Sequence, residues 1–185
     1  MLDVQVPAAQ GLSEEDVRRI VRAELEHEKA GRTAAIIASK GTLDWAYPPL
    51  ILATAAAASG MDTSVFFTFY GLNIIHKDFE RLLKVSPLGN PAMPMPMPVP
   101  NIVLALPGMG SMATSMMKSK FRGKHVAGVG ELLESAQDLG VRLIACQMTM
   151  DVFGYEQSDF IDGVEFAGAA AFMSVARRSN VTLFV

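Results

Sequence analysis

The chain holds a single cysteine, Cys146. No disulfide can form within it, and a reducing compartment is the natural setting. There is no CxxC pair for thioredoxin-like exchange and no second thiol to resolve a sulfenate. Histidine is almost as scarce: His27, His76 and His125 are scattered and show no zinc spacing. No metal site and no cofactor is therefore expected. Charge is also sparse, at 19% of residues against the usual quarter, with a net charge of −3. A nucleic-acid binder normally carries a basic surplus, so no nucleic-acid partner is expected. Long unbroken apolar runs are missing as well. Residues 45–61 carry no charge for 17 residues, but they open WAYPP and fall short of the ~20 residues of a bilayer span. Residues 85–117 are charge-free too, but seven of them are prolines, which leaves backbone groups that lipid cannot satisfy. No membrane span is expected, and contact with a membrane surface stays a secondary reading. The opening MLDVQVPAAQ lacks a basic stretch followed by an apolar one, so no signal peptide is read and a cytoplasmic location is expected.

What the sequence does have is apolar mass. Half of its 185 residues are hydrophobic, enough to bury a core and to exclude disorder for most of the chain. Twelve are methionine, and seven of these fall between 93 and 117: Met93, Met95, Met97, Met109, Met112, Met116 and Met117. Thioether sulfur is a soft copper(I) ligand, but no His or Cys accompanies these residues. Methionine more often fills irregular apolar surfaces and interfaces, so a covered surface, with a homo-oligomer as its simplest form, is the expectation.

The chain reads as two parts. Residues 1–32 carry twelve charged side chains, and LSEEDVRRIVRAELEHEKAG reads as a helical arm. Ser13 is its N-cap with Asp16 at N3, and Leu12, Val17, Ile20, Val21 and Leu25 form its apolar stripe. Residues 33–185 read as one α/β domain. TAAIIAS (33–39), DTSVFFTFYG (62–71), VRLIACQ (141–147) and NVTLFV (180–185) read as strands, with a further short strand near 101–105. Residues 43–59, 73–83, 109–121 and 128–140 read as helices, 148–155 as a short turn-helix, and 159–179 as containing a helix packed through small residues. The Met/Pro stretch 93–100 reads as an irregular, polyproline-like excursion. This alternation implies right-handed crossovers and a three-layer, mostly parallel sheet flanked by helices, of flavodoxin or Rossmann type.

Ligands in such sheets bind beyond the carboxyl ends of the strands. Lys40 and Gly41 follow the first strand, Tyr70 ends the second, and Cys146 ends the third, with Gln147, Met148, Thr149 and Asp151 after it. A short helix beginning behind Cys146 would offer oriented N–H groups that favour thiolate over thiol. Such a thiolate can attack a sulfane sulfur. The bland alternative is strong, because a free strand cysteine is usually core. The Gly-containing segments KGTLD (40–44) and LPGMGSMATS (106–115) could seat an anion, but neither has the spacing of a phosphate loop. The histidines cannot be placed beside Cys146 as a general base from sequence.

Three segments together resemble the DsrE/DsrF-like family, in the branch known as DsrE-type sulfur carriers and sometimes labelled peroxiredoxin-like. They are IIASKGTLDWAYPPLILATAAAASGMDTSVFFTFYGLNIIHKD (36–78), LPGMGSMATSMMK (106–118) and GVGELLESAQDLGVRLIACQMTMDVFG (128–154). The resemblance covers 36–185 and leaves the charged arm outside. It implies a parallel α/β sheet, assembly into homo- or hetero-oligomers, and passage of sulfane sulfur through a cysteine persulfide to TusA-like carriers or from rhodanese-like donors. Cys146, in ACQMTMD, matches the sulfur-bearing position. Lys40, Gly41, Tyr70, Gln147, Met148 and Thr149 are the expected substrate-side neighbours, and Lys118 and Lys120 could attract an anionic donor. The peroxiredoxin label finds no support around Cys146. The alternative reading is a non-catalytic oligomeric adaptor or small-ligand-binding subunit with a buried structural cysteine.

Overall fold

The computed structural model describes residues 13–85 and 109–185. The Met/Pro stretch 93–100, the strand expected near 101–105 and Leu12 lie outside the described residues. The chain divides into two units, Met1–Arg32 and Thr33–Val185. In the first, α1 (Glu14–Ala30) begins as its sequence requires. Ser13 Oγ accepts the Asp16 N–H at 3.1 Å and donates to Asp16 Oδ2 at 2.6 Å. Three acidic residues in the first turn complement the helix dipole.

The second unit runs β1 (Thr33–Ala38), α2 (Leu43–Ala58), β2 (Asp62–Phe67), a 3-10 turn (Phe69–Ile74) and α3 (Phe79–Leu82). It continues with α4 (Met109–Gly123), α5 (Val129–Asp138), β3 (Arg142–Cys146), α6 (Gln147–Phe153), a second 3-10 turn (Gln157–Asp159), β4 (Val164–Ala167), α7 (Ala169–Ala176) and β5 (Val181–Phe184). The five strands form one sheet in the order β4-β3-β2-β1-β5, every neighbouring pair parallel. The expected flanked parallel sheet is therefore what forms.

Strand alternation builds two cores. Ile36, Ala38, Val65, Phe67, Leu143 and Ala145 point to one face and pack under Leu43, Ala46, Leu50 and Ala53 of α2 and Leu133 and Ala136 of α5. Ala35, Phe66, Ile144 and Cys146 point to the other face, under Phe172 and Ala176 of α7. Phe66 and Phe172 stack there with ring centroids 4.7 Å apart. Among the described residues the first face carries α2 and α5, with Phe79 of α3 and Met117 and Phe121 of α4 packed beside them, and the second carries α7.

Several sequence expectations are corrected. The helix expected over 73–83 shrinks to α3: Ile74 and Ile75 turn into the core, and His76 forms an antiparallel bridge with Phe160. The strand expected over 62–71 stops at Phe67 and turns into 3-10 geometry. Within 159–179 a helix is present, but four residues before it form the edge strand β4. VEFA is too short to show a period, and its only strand partner is β3. Pro48 and Pro49 lie in the second turn of α2, so the carbonyls of Asp44 and Trp45 have no helical N–H donors.

Candidate functional site

The carboxyl edge of the sheet is where the loops after β1, β2 and β3 meet. Two glycines let the first two loops cross in near backbone contact. A Cβ on Gly41 would lie 2.0 Å from the Tyr70 carbonyl oxygen, and one on Gly71 would lie 2.1 Å from that of Ala38. The crossing is tied by Thr68 N–H donating to Ala38 O at 3.0 Å and Gly71 N–H to Ser39 O at 3.3 Å. Between these ties Phe69 takes a left-handed conformation, φ +48°, which a bulky side chain rarely adopts. Its backbone N–H reaches Thr149 Oγ1 at 3.3 Å.

Cys146 ends β3 and is the N-cap of α6. Its side chain is 1% exposed. Thr149, at N3 of the same helix, is buried, and its Oγ1 lies 3.2 Å from that of Thr68. Burial pushes the Cys146 thiol up. Opposing it are the hydroxyl and N–H of Thr149, the hydroxyl of Thr68 and the N–H of Met148, and the net effect holds the thiol below its ordinary value. The thiol makes no strict cap hydrogen bond in the resting geometry; these groups act by lying where a sulfur anion is favoured. Gly154, φ +71°, closes α6 on the far side.

The residues singled out from sequence divide clearly. Met148 and Thr149 lie against the thiol, and Gln147 follows it directly, its Nε2 donating to Asp151 Oδ1 at 3.1 Å. Gly41 is buried in the loop crossing, where its role is steric. Tyr70 is exposed on the neighbouring loop, its ring 5.6 Å from that of Phe153. Lys40 is engaged elsewhere, its Nζ 3.2 Å from the centre of the Trp45 ring. His76 is engaged elsewhere: its Nδ1 accepts the Asp78 N–H at 2.9 Å, and its ring lies by those of Tyr155 and Phe160. Thr68 was missed. Its signal was the end of the apolar run SVFF just before it, which the sequence reading passed over by carrying the strand on to Tyr70.

Other features lie apart. A groove of about 690 Å³ beside α4 and the start of α5 is lined by Tyr47, Phe121, Lys118, Arg122, His125 and Glu131 among others. Burial, and then the Glu131 carboxylate, push the Tyr47 hydroxyl up. Among the described residues no group of three His, Cys, Asp or Glu is placed to hold a metal ion. No helix among them is long and apolar enough to cross a membrane.

The architecture is that of an α/β protein with one polarised thiol at the carboxyl edge of a parallel sheet. Residues 30–184 match the DsrE/DsrF/DrsH-like family, and the chain belongs to that family. It is 55% identical over 155 residues to a protein of Allochromatium vinosum named sulfur carrier protein DsrE2, covering 82% of this chain and 96% of that one. It is 32% identical over 161 residues to the uncharacterized protein YrkE of Bacillus subtilis, covering 85% and 99%. The crystal structure of the YchN protein from E. coli superposes with a TM-score of 0.52 at 15% identity, over 83% of this chain and 99% of that one. That likeness concerns the fold alone.

Proposed function

We propose that this chain is a sulfur-relay protein in which Cys146 accepts a sulfane sulfur and presents it to a partner thiol. The observation that carries the reading is the placement of the chain's only cysteine against four anion-favouring groups at the carboxyl edge of the sheet. The name of the Allochromatium vinosum relative supports it. With thiosulfate as donor, the Cys146 thiolate attacks the outer, sulfane sulfur. A new S–S bond forms, the donor's S–S bond breaks, and sulfite leaves with the bonding electron pair. The sulfur stays on Cys146 as a persulfide anion. A partner thiolate then attacks the outer sulfur and Cys146 departs as thiolate. A low thiol pKa speeds that departure. With one thiol per chain, release by an internal disulfide is impossible, so a second molecule takes the sulfur. Partners of this reading are TusA-like carriers, rhodanese-like donors and further copies of the chain, in the cytoplasm.

The 1% exposure of Cys146 favours the competing reading, an oligomeric adaptor with an inert thiol. Relay requires the packing over the second core, where Cys146 sits with Phe66, Phe172 and Ala176, to give way. The deciding experiment is intact-protein mass spectrometry after incubation with thiosulfate, tetrathionate or polysulfide. The wild type gains sulfur and Cys146→Ser gains none. A wild type that takes sulfur from none of these donors, and whose thiol is labelled only after denaturation, defeats the relay in favour of the adaptor.

A further inference from the structure

The groove beside α4 is walled by residues of α2, α3, α4 and the start of α5, and α2 and α5 lie on the first face of the sheet. Cys146 belongs to the core of the other face, so groove and thiol are separate places in the fold. At about 690 Å³ the groove has the size of a small-molecule site. Leu43, Phe79, Leu83, Phe121 and Val129 give it an apolar wall.

Its charges form two poles that do not neutralise each other. Lys118 and Arg122 stand four positions apart on α4 and so share one stripe of that helix. Glu131 enters from α5, with its Oε2 held by the Gly128 N–H at 2.7 Å. Among the described residues neither cation pairs with a carboxylate and Glu131 pairs with no cation, although all three line one groove. With Glu80, also in the lining, the groove carries two carboxylates against its Lys and Arg. Tyr47 adds the other unmet group. It is only 7% exposed, and its ring meets that of Phe121 edge-on with centroids 4.7 Å apart. Its hydroxyl makes no hydrogen bond among the described residues. A buried hydroxyl is normally paired, so the acceptor for this O–H has to come from whatever fills the groove. Burial, and then Glu131, keep the phenol protonated and able to donate.

We propose that this groove binds a small zwitterion with an apolar body, of the amino-acid or short-peptide class, its carboxylate on Lys118 and Arg122, its ammonium on Glu131, and one of its oxygens accepting the Tyr47 O–H. A simple anion would have to face the Glu131 carboxylate, and a simple cation would have to face Lys118 and Arg122. A molecule with both charges satisfies the two poles at once. A dipeptide of apolar residues holds its charges at opposite ends and offers side chains to Leu43, Leu83 and Phe121. The site involves no thiol chemistry and stands apart from the sulfur-relay reading.

The test is isothermal titration of the full-length chain with the dipeptide Leu-Phe, its N-acetyl and C-terminal amide forms, and sodium sulfate. Wild type is expected to bind Leu-Phe, and blocking either end weakens binding about tenfold or more. Tyr47→Phe keeps the ring against Phe121 and binds about 2–10-fold more weakly. The double variant Lys118→Gln/Arg122→Gln changes side chains that carry no ion pair, so it folds, and it binds about tenfold or more weakly. It also loses most of its preference for the free acid over the amide, as direct pairing of those charges requires. Cys146→Ser binds like wild type. A wild type that shows no heat with Leu-Phe up to about 10 mM, a range that covers very weak sites, overturns the proposal. So do Leu-Phe binding that both the Tyr47→Phe and the double Gln variants leave unchanged, sulfate binding as tightly as Leu-Phe, and loss of binding in Cys146→Ser. Failure of the sulfur-relay reading shows separately, in the mass spectra, and leaves these titrations as they are.

Discussion

Replacing Gly71 with alanine drives a methyl group into the loop crossing that holds the thiol site together. The new Cβ would stand 2.1 Å from the Ala38 carbonyl oxygen and 2.8 Å from its carbon. Both obstacles are backbone, so no side chain can swing away, and the loops must part by roughly 1 Å to reach ordinary contact. Overpacking of this kind costs about 1–3 kcal/mol. Parting also stretches the Thr68–Ala38 and Gly71–Ser39 hydrogen bonds, worth about 1 kcal/mol each. The sum, about 3–5 kcal/mol, is a large share of the ~5–15 kcal/mol by which a domain is stable. For a chain of this size it lowers Tm by about 6–20 °C. Calorimetry of Gly71→Ala against wild type measures it. Gly123→Ala is the control: its Cβ meets nothing within 4 Å, and it should leave Tm unchanged or raised. The same parting draws Thr68 and the Phe69 amide away from Thr149, and the pH midpoint for iodoacetamide alkylation of Cys146 is expected to rise with the loss of stability. A Gly71→Ala protein that melts within about 2 °C of wild type and keeps its alkylation profile refutes the claim that this crossing positions the site.

Three further outcomes follow from the geometry. Phe172→Ala removes the ring that stacks on Phe66 and holds α7 over the second core; a loss of about 3–5 kcal/mol in urea unfolding is expected, with faster labelling of Cys146 as its cover loosens. Glu165→Gln breaks the 2.6 Å pair with Arg142, but both side chains are more than 40% exposed, so unfolding measurements should register no more than about 1 kcal/mol. Because the folded thiol titrates below its ordinary value, the wild type should gain stability relative to Cys146→Ser as pH rises from the folded pKa to the unfolded value near ~8.5. That gain is lost again as pH falls back through the folded pKa, and pH-resolved thermal melts of the two proteins should show the difference.

Much of the architecture was written locally. The apolar β-branched runs around Ile36, Val65 and Leu143 are fully buried strands, and their alternation with amphipathic segments such as GELLESAQD leaves little but a parallel sheet with helices on its faces. Ser13 with Asp16 announced its helix start because capping is decided within one turn, and the structure adds a second such cap, Glu131 Oε2 accepting the Gly128 N–H at 2.7 Å. Cys146 was legible as a candidate for the same reason: the rule that ligands gather at carboxyl ends of strands needs only the strand. What the tertiary structure alone decided are the features that depend on contacts far apart along the chain. The strand β4 exists because β3 offers VEFA a register, Leu143 to Val164 through Cys146 to Ala167; four residues carry no period of their own. The Ile74–Ile75 pair left its helix because the core on that side had room for both and His76 found Phe160. Thr68 reached Thr149, 81 positions away, only when β2 and β3 came to lie side by side and Gly41 and Gly71 let the loops above them cross. The identity of the one candidate sulfur is a matter of residue type and strand end, and so is sequence information. The protons that surround that sulfur are brought by chain crossings, and a crossing has no signature in either segment until the two are folded together.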